Sequence, residues 1–162
     1  SGGGGALLGD RGSGFSIGRT LLQGWLYEDQ DLDGLESLLE KEFGTNDPGA
    51  ITQSIYASPS PPTRIAHVAG CALSLLGQLP GPTRARLSTI VREEMGVLAE
   101  LTHRHRRRYH SDGFHPIFRA GGLWSACAEI VPAFEEALGT TTQVAPFPPV
   151  WGAAKLAQDR LA

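Results

Sequence analysis

The residue in this chain best placed to do chemistry is an acid set among glycines. Gly9-Asp10-Arg11-Gly12-Ser13-Gly14 packs three glycines into six residues. Such a run permits a tight turn and close approach of backbone to a ligand. A carboxylate held on it can accept hydrogen bonds from a hydroxylated ligand. Ser13 or Ser16 then stands where a helix N-cap belongs, ahead of Ile17, Leu21, Leu22 and Trp25 at helical spacing. A glycine-rich turn alone is most often only a turn, so its meaning depends on what accompanies it.

A second glycine corner, Gly121-Gly122, follows the short apolar run His115 to Ala120 and precedes Trp124, Cys127, Ile130, Val131, Phe134 and Leu138 at helical spacing. Glycines between a strand and a helix let backbone amides meet the flat or phosphate part of a nucleotide near a positive helix end. The plainer reading is that strand-to-helix turns favour glycine. The basic tract His103-Arg104-His105-Arg106-Arg107-Arg108-Tyr109-His110 reads as a solvated loop or a helix end whose cations complement the dipole. Its rivals are a nucleic-acid contact and an imidazole metal site, and no acid or cysteine stands at a suitable spacing for the latter. Glu28, Asp29, Asp31, Asp33 and Glu36 lack the glycine and distal glutamate of a calcium loop, and read as solvated acids at a helix start. Ser13 has no evident histidine partner, which disfavours a hydrolase.

The elements that must position these residues follow from apolar periodicity. With 162 residues, 41% hydrophobic, 19% charged and a net charge of −3, the composition is that of one soluble domain without a bias toward nucleic acid. No run suits a membrane span or a secretory signal, so a cytoplasmic location is expected. Cys71 and Cys127 sit in helical apolar patterns far apart, as two buried thiols would in a reducing compartment, with no zinc-site spacing. Helices are expected over about 14–27, from Leu32 to Phe43 with Gly44 as terminator, from Pro48 behind an Asn46-Asp47 cap, after Ser60-Pro61, and as one long helix after Leu79-Pro80-Gly81-Pro82. The helix after Ser60-Pro61 should bury Ile65, Val68, Ala69, Ala72, Leu75 and Leu76. Strands at 115–120 and around Val144, each followed by a helix, predict an α/β unit with a parallel pair.

Taken in order, these segments resemble a family. G-G-x-G-x-L-L-G-D-x-G-S-G-x-x-I-G at residues 2–18 is similar to the signature opening the C-terminal half of N-acetylglucosamine kinases and the related BadF/BadG-type ATPases, members of the actin-like sugar kinase/Hsp70 superfamily. The likeness continues through the paired glycines with Leu123-Trp124-Ser125 and through P-P-V-x-G-A-A-x-L-A at 148–157. It implies the C-terminal part of a ribonuclease H-like domain, α/β but predominantly helical with few strands. Residues 28–104 would be a helical insertion in one partial domain spanning 1–162. It implies that Asp10 binds amino-sugar hydroxyls on a turn shaped by Gly9, Gly12 and Ser13. Gly121, Gly122 and Ser125 would hold adenosine, with Gly152 to Ala154 on its far side. Gly4 stands where the family commonly has Trp, and Arg11 where it commonly has Glu.

The chain opens on Ser1 and four glycines, and its only methionine is Met95, so it is read as a piece of a longer polypeptide. The resemblance puts the phosphate-binding hairpin, the metal-binding acid and the general base on an N-terminal lobe that would share ATP and Mg²⁺. No catalytic residue and no metal ligand is therefore assigned here, and no turnover is expected from this chain alone. The expected partners are the amino-sugar and that lobe, with neither nucleic acid nor membrane, and a homodimer is left open. The alternatives are a non-catalytic helical interaction module and a BadF-type activator ATPase fragment; the cysteines lack the cluster spacing the second would need.

Overall fold

Apolar residues three and four apart build most of this molecule. A computed structural model describes residues 9–109 and 115–159. Helix α1 (Gly14–Leu26) is followed by a 3₁₀ segment (Gln30–Leu35), α2 (Glu36–Phe43), α3 (Pro48–Tyr56), α4 (Pro61–Ser74), a 3₁₀ turn (Leu76–Gln78) and the 29-residue α5 (Gly81–Tyr109). Then come β1 (Phe118–Arg119), a 3₁₀ turn (Gly122–Ser125), α6 (Ile130–Leu138), β2 (Gln143–Val144) and α7 (Pro149–Asp159). No described helix is long and apolar enough to cross a membrane.

The helix boundaries follow local chemistry. Ser13 caps α1 by accepting from the Ser16 amide, which places Ser16 inside the helix. Gly44 closes α2 in the left-handed region at φ 74°. Pro48 opens α3 while the Asp47 carboxylate accepts from the Ala50 amide at 2.7 Å. At α4, Ser60 occupies the cap position, but its hydroxyl bonds the Thr63 hydroxyl instead of a backbone amide.

α1 packs along α4 and α5 packs along α6, with the Gln30–Leu35 turn wedged against α5. Ile17, Leu21, Leu35, Leu39, Val68, Leu73, Leu87, Ile90, Met95, Ile130 and Phe134 belong to one buried cluster. Residues 28–104 thus share their core with the elements on either side of them. On α4 the buried set is Val68, Ala69, Ala72, Leu73 and Leu76, while Ile65 and Leu75 remain partly exposed.

The expected parallel pair is present, though shorter than the sequence suggests. Phe118 lies opposite Gln143 and Arg119 opposite Val144. The Gln143 amide donates to the Ile117 carbonyl and the Ala145 amide to the Arg119 carbonyl, each at 2.9 Å. The helix expected from Trp124 onward begins only at Ile130. Pro132 is the cause: within a helix its ring would collide with the carbonyl four residues back, so it is tolerated only in the first turn. Cys127 therefore lies in the turn between the 3₁₀ segment and α6 and not in a helix. Both cysteines are unpaired and half-buried, against the expectation of full burial, because each lies at the margin of the core.

Gly18 is where α1 and α4 come closest, since a Cβ there would collide with the Ile65 carbonyl oxygen. Gly70, on α4, has open space where its Cβ would go. Gly18→Ala should destabilise the fold by about 1–3 kcal/mol through forced helix separation. Gly70→Ala should stabilise it by about 0.5–1 kcal/mol through helix propensity alone. Urea denaturation of the two variants reads both signs.

Candidate functional site

The turn that carries Asp10 is fastened from both sides. The Ser13 amide donates to the Asp10 carbonyl at 3.3 Å, and the Ser13 hydroxyl is spent capping α1. Gly12 adopts φ +76°, and a Cβ there would stand 2.8 Å from Leu98 Cβ on α5, so this position needs glycine on two counts. The Gly12 amide donates to Glu94 Oε2 at 2.7 Å. Arg11 reaches the same carboxylate, Nη2 to Oε1 at 3.1 Å and Nε to Oε2 at 3.3 Å. Glu94 is only 5% exposed, whereas the Arg11 side chain is half exposed.

Asp10 is half-buried, and among the described residues nothing hydrogen-bonds its carboxylate. Its neighbours hold the turn, and Asp10 itself is not among the residues that line the groove beside it. Sequence reasoning missed Glu94. Its spacing carries the clue, because it falls on the inward face of α5 with Ile90, Val91 and Met95, where an acid needs a partner. Beside this turn lies a groove of about 360 Å³ lined by Gly9, Arg11, Thr102, His105, Arg106 and His115, with Leu98 and Ile117 below them. The basic tract is the end of α5, with Arg106, Arg107 and Arg108 in its last turn, and two of its side chains face this groove. Residues 1–8 and 110–114, which include most of the first glycine motif's opening and His110 of the basic tract, lie outside the described residues.

The second corner is bare. Gly121 adopts φ +106° and ψ 163°, a region that side chains essentially exclude. Nothing stands within 4 Å of a Cβ at Gly121 or Gly122. The Ser125 hydroxyl donates to the Gly122 carbonyl at 3.0 Å and Trp124 Nε1 to the Ala120 carbonyl at 3.1 Å, which braces the turn. Trp124 also packs on Phe134, ring centroids 5.1 Å apart. A groove of about 460 Å³ opens here between Arg119, Gly121, Trp124, Ser125, Val144 and Phe147. The Arg119 Nε is buried with no hydrogen-bond partner among the described residues. Gly152 falls in α7, whose Trp151, Ala154 and Lys155 line an adjoining groove with Phe118 and Phe147.

The two corners are neighbours without sharing a cavity. Residues 115–117 line the first groove and 119–121 the second, so the chain through β1 runs from one to the other, yet no lining residue is common. The acid-bearing corner and the bare corner therefore do not face one common cleft. Of the acids at 28–36, Asp29 caps the 3₁₀ segment and pairs with Arg86 at 3.0 Å, while Asp31, Asp33 and Glu36 are exposed at helix starts.

The loop into β2 is set by Glu135, which accepts from the Thr142 hydroxyl at 2.6 Å and its amide at 2.8 Å. These bonds, the hydroxyl foremost, hold the Glu135 carboxyl below the ordinary glutamate value. Its stabilising contribution is therefore complete above the unfolded-state value and fades as pH falls through the folded one. Thr142→Val should raise the Glu135 titration toward the ordinary value, as read by carboxyl NMR. At the first corner, Glu94→Ala strands the Gly12 amide and the Arg11 cation and should cost about 2–4 kcal/mol. Glu94→Gln retains an acceptor for Gly12 and should cost about 1 kcal/mol. Chemical denaturation separates the two.

Comparison with models of protein families, with curated proteins and with solved structures finds no match to this chain.

Proposed function

We propose that this chain is the C-terminal part of a cytoplasmic, ATP-dependent amino-sugar kinase of the N-acetylglucosamine kinase type. It supplies the sugar-binding and adenosine-binding turns of an active site completed by an N-terminal lobe. The observation that carries the reading is a carboxylate with no hydrogen bond among the described residues, on a fastened glycine turn, with a bare glycine corner on a separate groove. Asp10 would accept hydrogen bonds from sugar hydroxyls; an analogue lacking the hydroxyl leaves the acid unpaired, which is how such a site discriminates. Gly121 and Gly122 would let adenosine lie flat against backbone, with Trp124 and Phe147 as apolar walls. ATP and Mg²⁺ supply the transferred phosphoryl group and its charge neutralisation. This chain's part is positioning, which in phosphoryl transfer is most of catalysis.

A second reading, a non-catalytic interaction module, is favoured by exposed apolar groups near the sheet. Phe118, Val144, Phe147, Val150 and Trp151 all face solvent. The kinase reading assigns that surface to the other lobe, and the module reading assigns it to another protein.

Calorimetric titration of N-acetylglucosamine and ADP, on this chain and on a form extended upstream, separates the two. The kinase reading expects both ligands to bind the extended form. Asp10→Ala should then weaken the sugar by about 10–200-fold, corresponding to about 1–3 kcal/mol, with ADP unaffected. Gly121→Val should do the reverse. Binding of neither ligand to either form rules the kinase out, and sugar phosphorylation by residues 1–162 alone contradicts the assignment of the catalytic groups to another lobe.

A further inference from the structure

Away from both grooves, three different donor atoms meet between α2 and α4. Glu42 stands near the end of α2; His67 and Cys71 stand one turn apart on α4, on the same face. His67 Nε2 lies 2.9 Å from Glu42 Oε2 and 3.5 Å from Cys71 Sγ, and one ligand atom from each residue lies within 4.8 Å of the others. Zinc bonded to nitrogen and oxygen at about 2.0–2.2 Å and to sulfur at about 2.3 Å gives tetrahedral edges of about 3.3–3.6 Å. The histidine–cysteine separation already has that length. The histidine–carboxylate contact needs to open by about 0.5 Å to reach it.

The frame around these atoms is built. Arg64, on α4, donates to the Glu42 carbonyl at 2.6 Å and lays its guanidinium 4.5 Å above the Phe43 ring. The end of α2 is thereby clamped to the helix that bears the other two donors. We propose that Glu42, His67 and Cys71 form a binding site for a borderline-soft divalent ion, zinc by preference, with a fourth corner open to water or an added ligand. Thiol and imidazole donors select zinc over magnesium or calcium, which take oxygen. The fourth corner is open because the His67 side chain is 53% exposed. On coordination the thiol loses its proton to solvent and binds as thiolate. The site stands independently of the kinase reading. Sequence spacing hides it, because the carboxylate comes from a different helix and only His67-x-x-x-Cys71 is local.

Cobalt reports the site directly. The metal-stripped chain, given one equivalent of Co²⁺, should show visible d–d bands and a near-ultraviolet thiolate-to-cobalt charge-transfer band, both abolished by one equivalent of Zn²⁺. Cys71→Ser should remove the charge-transfer band. Cys71→Ser and His67→Ala should each weaken zinc by about tenfold or more in a competition assay with a chromophoric chelator. Cys127→Ser and a His103→Ala/His105→Ala variant should leave both readouts unchanged. His67 is exposed and Cys71 half-buried, so the variants keep their fold, verified by circular dichroism. Absence of the charge-transfer band in the wild-type chain, its survival in Cys71→Ser, or its loss in Cys127→Ser overturns the proposal.

Discussion

One buried carboxylate organises the end of this protein that carries the first glycine turn. Glu94 sits in the apolar face of α5 and answers its burial with two partners, the Gly12 amide and the Arg11 guanidinium. An acid in that position is tolerated only when its oxygens are occupied. The glycine turn must therefore stay against α5. Leu98, one turn further along, fills the space that a side chain at residue 12 would need. The same helix packs on α6 along another face, and α6 is the crossover between the two parallel strands. Both glycine corners are thus referred to a single rigid element, and their spacing is fixed by α5 more than by the chain between them.

Much of this arrangement is legible in the residues. Asp47-Pro48 and Gly44 announce a helix start and a helix stop because each solves the orphaned backbone groups of a helix end. The long helix after Pro82 is legible from Leu87, Ile90 and Val91, and the parallel pair from the alternation of strand and helix signals. Other features depend on partners far away in sequence. Nothing local tells that Ser13 and not Ser16 caps α1, or that Glu94 reaches back to Gly12. The apolar run at 115–120 exceeds the two-residue strand it contains, because such a run says that residues are buried or paired, not how many find a ladder. Pro132 could have placed the start of α6 correctly, had its clash been weighed against the apolar periodicity running through Trp124 and Cys127.

The small sheet raises a question of its own. Parallel strands usually lie with both faces covered, since their crossovers lay helices on each side. Here Phe118 is 49% exposed and Val144 73%, and each strand has an unpaired edge among the described residues. Two-residue strands paired only with each other gain little, and a two-stranded unit is marginal without further packing. The side chains on this pair suit the middle of a larger sheet better than a surface. That mismatch between residue type and environment is what a surface awaiting a covering partner would show, whether another lobe or another protein.

Arg11 stands where the proposed kinase reading would expect glutamate. The contact with Glu94 changes what that departure means. An acid is still present at the turn, supplied from α5, and it is satisfied by the adjacent guanidinium and by the Gly12 amide. Replacing Arg11 by glutamate in this chain would set a second carboxylate against a buried one, which low dielectric makes costly. Arg11 is therefore fixed by Glu94, whatever ligand the neighbouring groove takes. The arginine at position 11 belongs to the scaffold, whereas Asp10, one residue earlier, makes no side-chain hydrogen bond among the described residues.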